Sequence, residues 1–195
     1  MPETSCAAVI LAAGASTRLG QAKQLIEVGG ETLLRRTARL ALEAGCVPVV
    51  AVLGFEAERM RAKLDGLSVV VAVNPDWQAG MGTSLRCGVS ALPSTLTDVL
   101  LLVCDQPRLT AEHLRALLAQ HVAGGLVITA SQYAGRDGVP AVFAAAVVPE
   151  LLQCEGDRGA REVIRRNSAR VQAVEWPDGA VDVDRPEDLE GLAGG

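Results

Sequence analysis

Hydrophobic and polar positions alternate along this chain with two different periods, which predicts a regular succession of strands and helices. Short continuous apolar runs are typical of strands that are buried on both faces. Such runs lie at residues 6–11, 47–53, 68–73 and 98–103. The last of them, DVLLLV, is the most apolar, and we expect it at the centre of a sheet.

Amphipathic segments separate these runs, with apolar residues at helical spacing on one side and charged residues on the other. In the segment 32–44, Leu33, Leu34 and Leu40 share a face, and Gly45 supplies a stop signal. Thr110 is expected to cap the helix that follows it. Similar patterns predict further helices at residues 55–64, 83–92, 147–153, 158–167 and 186–192.

The second half of the chain adds a small antiparallel element. Residues 126–133 and 141–143 flank Gly-Arg-Asp-Gly at 135–138, which predicts two antiparallel strands joined by a turn at that tetrapeptide. Residues 169–175 predict a last strand. We therefore expect an α/β fold over residues 1–195 as a single domain, with a mostly parallel sheet between two layers of helices. Ligands of such sheets bind at the carboxyl ends of the strands.

Composition and charge exclude several functional classes. The chain has 195 residues, of which 49% are hydrophobic and 21% are charged, and its net charge is -5. An acidic protein is a poor nonspecific ligand for nucleic acid, so we expect no nucleic-acid partner. The sequence contains neither a signal-peptide pattern nor an apolar run of about 18 residues, and we expect no membrane partner. The five cysteines form no C-x-x-C motif, which favours reduced thiols and a cytoplasmic location.

The loop after the first strand, LAAGASTRLGQAK at residues 11–23, has the composition of a polyphosphate-binding loop. Its small residues let backbone N–H groups approach an anion closely, and Arg18 and Lys23 supply positive charge. The spacing of Gly14 and Gly20 matches neither the P-loop nor the dinucleotide-binding fingerprint. A glycine-rich turn with two solvated cations is the alternative interpretation of the same residues.

Two acidic segments contain candidate metal ligands. Asp105 follows the predicted central strand, where a carboxylate can bind Mg²⁺ beside a phosphate or simply begin a turn before Pro107. The second segment is DVDRPEDL at residues 182–189. There, Asp184 and Glu187 have the spacing of a capping box, and the residue pattern by itself favours this capping role.

The pattern of these segments resembles that of the MobA-like nucleotidyltransferases, and the resemblance extends over residues 7–189. The family signature L-A-A-G-x-S-x-R-x-G-x-x-K is matched at Leu11, Ala12, Ala13, Gly14, Ser16, Arg18, Gly20 and Lys23. The resemblance implies that these residues bind the nucleotide, and that Arg18, Lys23 and Asp105 act in catalysis. It also implies that Asp105 and Asp184 hold Mg²⁺, with Asp182 as the alternative to Asp184.

Three further segments resemble the molybdenum cofactor cytidylyltransferases, one branch of this family. The segment NPDWQAGMGTSL at 74–85 is similar to a loop near the base and ribose, which implies nucleotide contacts by Gly80, Gly82, Thr83 and Ser84. Without the resemblance, Thr83 or Ser84 could equally be a helix N-cap. The segments GVPAVF at 138–143 and GDRGAR at 156–161 imply acceptor contacts by Gly138, Pro140, Asp157, Arg158 and Arg161. For Asp157, a helix N-cap is the alternative.

The resemblance implies an Mg²⁺-dependent enzyme that transfers CMP from CTP to the phosphate of molybdopterin and releases pyrophosphate. A second alanine at position 13 is typical of the cytidylyl branch. A molybdenum hydroxylase is the implied recipient of the product. The alternatives are a guanylyltransferase that uses GTP, a sugar-phosphate nucleotidyltransferase of the same fold, and a carrier that binds the cofactor without chemistry.

Overall fold

The computed structural model describes residues 6–17, 19–94, 98–183 and 188. Its main element is a sheet of seven strands: β1 (Cys6–Ala12), β4 (Val49–Leu53), β5 (Val69–Val73), β6 (Asp98–Val103), β7 (Ile128–Tyr133), β8 (Arg136–Ala144) and β9 (Val171–Glu175). Their order in the sheet is β5-β4-β1-β6-β8-β7-β9. Two short strands, β2 (Glu27–Val28) and β3 (Glu31–Thr32), form a separate antiparallel pair.

The sheet is parallel except for one strand. β8 runs antiparallel to both β6 and β7, whereas β7 and β9 are parallel to each other. β1 lies between β4 and β6, so Ala8 is paired with Val49 on one side and with Leu100 on the other. This topology confirms the predicted α/β class and the apolar segment 98–103 as an inner strand.

Six helices cover the two faces of the sheet in the described part of the chain. They are α1 (Leu33–Glu43), α2 (Ala57–Lys63), α3 (Met81–Ser90), α4 (Ala111–Gly124), α5 (Val148–Leu152) and α6 (Ala160–Arg166). Side chains of α1, α2 and α4 pack in one hydrophobic core, and those of α3, α5 and α6 pack in a second. Successive strand residues point to opposite faces, so Ile10 enters the first core and Val9 the second.

Local sequence signals explain two of the helix starts. The Thr110 hydroxyl accepts a hydrogen bond from the backbone N–H of His113, as predicted for an N-cap. Thr32 caps α1 in the same way, by accepting a hydrogen bond from Arg35 N. Each such cap satisfies a backbone donor that would otherwise lack a partner at the end of the helix.

The alternative interpretation of Thr83, Ser84 and Asp157 as N-caps is wrong. α3 begins at Met81, and its N-cap residue is Gly80 rather than Thr83 or Ser84. The Thr83 hydroxyl instead donates to the Gly80 carbonyl, at 2.8 Å. α6 begins at Ala160 after Gly159, so Asp157 is not its cap. At both sites a glycine adopts the non-helical backbone of the cap residue, and no side-chain cap is used.

The turn between β7 and β8 also differs from the prediction. It lies at Ala134 and Gly135, which both have positive φ angles, of 50° and 71°. Two consecutive positive φ angles are typical of the tight turns that match the twist of paired strands. Residues 136–138 therefore belong to β8 and pair with β7.

Some predictions fall on residues that the structure does not describe. Of the last predicted helix, at residues 186–192, only residue 188 is described, and the proposed capping box of Asp184 with Glu187 lies outside the described residues. Among the residues that are described, no helix combines the length and the apolar character needed to cross a membrane.

Candidate active site

Lys23 and Asp105 form an ion pair at the carboxyl edge of the sheet. The distance between Lys23 Nζ and Asp105 Oδ2 is 2.6 Å, and each side chain is 22% exposed. Lys23 follows the loop after β1, and Asp105 follows β6, the neighbouring parallel strand. The sheet thus brings together two groups that the sequence separates by 82 positions.

The loop after β1 is held in shape by Gln24, a residue that sequence reasoning missed. The Gln24 amide nitrogen donates to the carbonyls of Ala12 and Gly14, at 2.9 and 2.8 Å. The backbone N–H of Lys23 donates to the Ser16 hydroxyl at 3.3 Å. Because Gln24 is only 2% exposed, these bonds fix the loop from beneath. The sequence signal for Gln24 is its position directly after Lys23, the last residue of the family signature.

A first cavity of about 370 Å³ opens above this loop. The sequence-predicted nucleotide residues on its wall are Leu11, Ala13, Gly14, Ser16, Lys23, Gly80 and Ser84, and Asp105 lies at the same wall. Arg18, the other predicted phosphate ligand, lies outside the described residues.

Four predicted nucleotide residues do not line the first cavity. Ala12 is buried in the core beneath the loop, and Gly20 lines a neighbouring depression instead. The Thr83 hydroxyl is bonded to the carbonyls of Asp76 and Gly80. Gly82 packs against the backbone of the loop after α5, where a Cβ atom would overlap the Cys154 carbonyl.

Gly80 and Gly82 allow two loops to approach each other closely. A Cβ atom at Gly80, whose φ is 107°, would overlap the backbone of Gly156. Gly82 N donates to the Gly156 carbonyl at 2.9 Å. These glycines therefore join the segment 74–85 to the segment 156–161, whereas the resemblance implied only that they contact the nucleotide.

The segment 74–85 is further anchored by Asn74 and Trp77. The buried Asn74 amide donates to the hydroxyls of Thr83 and Ser84, at 2.9 and 3.1 Å. Trp77 lines the first cavity and meets Phe55 edge to face, with ring centroids 5.8 Å apart. The cavity wall on this side is consequently rigid and carries one aromatic ring.

A second cavity, of about 290 Å³, adjoins the first. The two share Leu11, Met81, Val103, Asp105 and Asp157, so the ion pair of Lys23 and Asp105 lies where they meet. The second cavity is also lined by Gln106, Tyr133, Arg136, Val139, Arg161 and Asp182. Gln106, Tyr133 and Arg136 were not predicted, because their positions in the sequence give no sign that they converge.

The predicted acceptor residues are only partly on this wall. Asp157 and Arg161 line the second cavity, whereas Gly138, Pro140 and Arg158 do not. Val139, between the two predicted strand residues, lines it instead. Successive residues of a strand face opposite sides, so Gly138 and Pro140 face away when Val139 faces the cavity.

Two carboxylates of the second cavity match the donor set of a divalent cation. Asp105 and Asp182 line the same cavity, and Val183 N donates to the Asp105 carbonyl at 2.9 Å, which brings their segments together. Mg²⁺ usually takes one or two carboxylates and completes its shell with phosphate oxygens and water. Among the described residues, no three or more His, Cys, Asp or Glu side chains form a metal-binding cluster. Asp184 lies outside the described residues.

The cysteine nearest to the ion pair is not ionised. Burial raises the pKa of the Cys104 thiol to about 12, and the charge of Asp105 adds to this effect. A thiol with so high a pKa stays protonated at neutral pH, whereas a nucleophilic cysteine reacts as the thiolate. Cys104, which directly follows β6, therefore packs in the first core and is not a nucleophile.

Known proteins resemble this chain over most of its length. Nicotine blue oxidoreductase of Paenarthrobacter nicotinovorans is 34% identical over 192 residues, which cover 93% of both chains. The bifunctional protein GlmU of Geobacter sulfurreducens is 34% identical over 125 residues, or 63% of this chain, but these are only 26% of its own length.

A solved structure is also similar in fold. Rv0371c from Mycobacterium tuberculosis is 32% identical and superimposes with a TM-score of 0.80 over 98% of this chain and all (100%) of its own. The same protein has been solved in complex with manganese. Finally, the model of the MobA-like NTP transferase domain matches residues 8–171, and the chain therefore belongs to this family of nucleotidyltransferases.

Proposed function

We propose that the protein transfers CMP from CTP to the phosphate of a molybdopterin-type acceptor, with release of pyrophosphate and with Mg²⁺ as the cofactor. The observation that carries this proposal is the position of Lys23 and Asp105 at the junction of two cavities. One cavity is lined by the loop that resembles a polyphosphate site. The other is lined by two arginines, which suit an anionic acceptor.

Two cavities on either side of Asp105 suit an in-line displacement. In this reaction an oxygen of the acceptor phosphate attacks the α-phosphorus of CTP from one side. The bond from the α-phosphorus to the bridging oxygen breaks on the other side, and that oxygen leaves with pyrophosphate. Such reactions depend on positioning and charge neutralisation and need no protein nucleophile, in keeping with the protonated Cys104 thiol.

Lys23 is assigned to the phosphates of the nucleotide. Its contact with Asp105 holds the ammonium group at the edge of the first cavity. There it would neutralise charge that develops on the departing pyrophosphate. Arg18 would also neutralise charge on the departing pyrophosphate, as the family signature implies.

Asp105 is assigned to the metal, together with Asp184 or Asp182. When bound, Mg²⁺ would act as a Lewis acid and offset the negative charge of the phosphates. Asp105 lies between the two cavities, and Asp182 lines the second with it, so both carboxylates stand beside the proposed path of the phosphates. The manganese complex of Rv0371c supports a divalent cation in this family.

CTP is proposed as the nucleotide because of the resemblance at Ala13 and in the segment 74–85. The Ala13 side chain is buried in the core, and Phe55 N donates to its carbonyl, so this part of the cavity wall is fixed backbone. Fixed backbone groups can distinguish one base edge from another, since an unmatched polar group costs binding energy.

The second cavity is proposed as the acceptor site because two positively charged side chains line it. Arg136 and Arg161 line the second cavity and could bind the phosphate of the acceptor. The proposal includes a cytoplasmic location, which the five free cysteines support, and a molybdenum hydroxylase as recipient of the product.

An oxidoreductase reaction is the second candidate. The observation in its favour is the 34% identity with nicotine blue oxidoreductase over 93% of both chains. In such a reaction the first cavity would hold a nucleotide reductant rather than a triphosphate. The pairing of Lys23 with Asp105 favours the transferase, because a cation and a candidate metal ligand have a direct role in phosphoryl chemistry.

Pyrophosphate release tests the proposal. The purified protein is given Mg²⁺, a pterin carrying a phosphomonoester and each of CTP, GTP, ATP and UTP in turn. We expect release with CTP and at most a small fraction of that rate with the other three. Faster release with GTP would show that GTP, not CTP, is the nucleotide substrate. Oxidation of NADH or NADPH without pyrophosphate release would favour the oxidoreductase reaction.

A further inference from the structure

One polar side chain of the second cavity is explained neither by the fold nor by the proposed reaction. Gln106 follows Asp105 directly, lines the cavity and is only 6% exposed. Its amide oxygen, Oε1, is buried and has no hydrogen-bond partner among the described residues. Because a buried amide oxygen without a partner destabilises a fold, its presence here points to a partner that binds from outside the chain.

The orientation of the Gln106 amide is fixed by its nitrogen. Nε2 donates to the Val139 carbonyl at 3.0 Å and lies 3.5 Å from the Tyr133 hydroxyl. That hydroxyl donates its own proton to the same carbonyl, so its oxygen can accept from Nε2. A flipped amide would place Oε1 against the Val139 carbonyl, where two acceptors repel each other. The oxygen therefore lies on the side of the amide away from β8.

Aromatic packing makes this arrangement rigid. The ring of Tyr133 meets Trp176 edge to face at a centroid distance of 5.9 Å. Trp176 in turn is stacked on His113, with centroids 4.6 Å apart. His113 Nε2 lies 2.8 Å from the Ser131 hydroxyl. A rigid side chain loses little entropy when a ligand binds, which is the property of a specificity-determining group.

We propose that Gln106 selects the acceptor by accepting, at Oε1, a hydrogen bond from an N–H or O–H group of that molecule. This inference rests on the proposed function, because it takes the second cavity as the acceptor site. It adds a requirement to that function: the acceptor must carry a hydrogen-bond donor.

The surroundings define the chemical class further. Arg161 lies beside the amide, with Nη2 3.5 Å from the Tyr133 hydroxyl, and can bind an anionic group. The apolar part of the wall includes Leu11, Val103 and Val139. The acceptor that fits this wall is a phosphomonoester on an apolar or planar body whose edge presents a ring N–H or amino group.

Equilibrium binding tests this inference without any turnover. The probes are a pterin that carries a phosphomonoester and the same compound methylated at its ring N–H, and the fluorescence of the pterin reports binding. We expect the wild-type protein to bind the N–H compound about ten- to a hundredfold more tightly than the methylated one. In Gln106→Met, which keeps the length of the side chain but removes Oε1, this ratio should fall to about one.

Two more variants complete the experiment. Gln132→Met is the matched control, because Gln132 is exposed on β7, lines neither cavity and donates from its amide to Asp137 at 3.1 Å, and it should keep the wild-type ratio. Tyr133→Phe removes the hydroxyl beside Nε2 but leaves Oε1, so the ratio should fall only in part. This variant also serves if Gln106→Met does not fold.

The inference is overturned if folded Gln106→Met keeps the wild-type ratio, if folded Tyr133→Phe keeps it where Gln106→Met does not fold, or if the wild-type protein binds both probes equally or neither. Failure of the proposed function would appear separately, as a wild-type protein that releases no pyrophosphate from CTP.

Discussion

At the scale of single residues, the ion pair between Lys23 and Asp105 is the contact on which the proposed reaction depends. Each residue was predicted from its own segment, Lys23 as a phosphate ligand and Asp105 as a metal ligand. Their separation of 2.6 Å is a property of the folded sheet, because it depends on β1 and β6 being neighbours. The contact fixes the position of each residue relative to the other. Catalysis by proximity and orientation requires such fixed positions.

Replacement of Lys23 should affect catalysis more than folding. In Lys23→Met, we expect the rate of pyrophosphate release to fall about 10²- to 10³-fold, as when one preorganised donor is removed from an active site. Steady-state kinetics measures this loss. Lys63→Met is the matched control, since Lys63 ends α2 and lines neither cavity. Equal rates in the two variants would remove Lys23 from the proposed mechanism.

His113 should make the stability of the protein depend on pH. Burial lowers the pKa of His113 to about 4, from an ordinary value of 6.5. Between these values the unfolded chain binds a proton that the folded chain excludes, so the free energy of unfolding falls as the pH falls from 6.5 to 4. The loss would be on the order of 2–3 kcal/mol.

Urea denaturation at several pH values measures this effect. In His113→Gln the titrating group is absent, so the decline between pH 6.5 and 4 should be shallower than in the wild-type protein. Parallel declines in the two proteins would show that His113 is not the group responsible.

At the scale of the elements, the sequence predicted strands and helices well where a hydrophobic pattern decides them. The run DVLLLV became β6 with its predicted bounds, because continuous apolar residues fit a strand that is covered on both faces. Helix starts were predicted less well at Gly80 and Gly159, where contacts between loops decide the backbone conformation. Such contacts join segments far apart in sequence, and a local pattern does not contain them.

A small hydrophobic cluster connects the loop after β1 to the C-terminal segment. Leu19, Leu33 and Val183 pack together, apart from the two main cores. Val183 is fully buried, although its neighbour Asp182 is exposed and lines the second cavity. The buried valine thus places a carboxylate next to the Asp105 segment.

A shorter side chain at position 183 should raise the Mg²⁺ concentration that the reaction needs, while the protein stays folded. In Val183→Ala, the loss of two buried methyl groups costs about 1–2 kcal/mol of unfolding free energy. The Mg²⁺ concentration needed for half-maximal activity should rise several-fold, because the adjacent carboxylate is less firmly placed. A metal titration and a thermal melt measure the two effects. Val122→Ala, at an exposed position of α4, should change neither. An unchanged metal requirement in Val183→Ala would contradict this role.

At the scale of the whole molecule, the family and the α/β architecture followed from the sequence, whereas the walls of the two cavities did not. The first cavity contains most residues of the loop signature, because that loop is continuous in sequence. The second cavity draws on β6, β7, β8, α6 and the C-terminal segment. Gln106, Tyr133 and Arg136 converge there only in the folded sheet, so no sequence motif contained them together.

The proposed reaction moves a nucleoside monophosphate from CTP to a phosphorylated acceptor across the junction at Asp105. Two parallel reactions measure this transfer most directly. One uses CTP that is radioactively labelled at the α-phosphate, and the other uses CTP labelled at the γ-phosphate. We expect the α-label to join the pterin phosphomonoester and the γ-label to appear in pyrophosphate, and we expect Asp105→Asn to abolish both. An α-label that stays in CTP, or that is released only as free CMP, would contradict the proposed reaction.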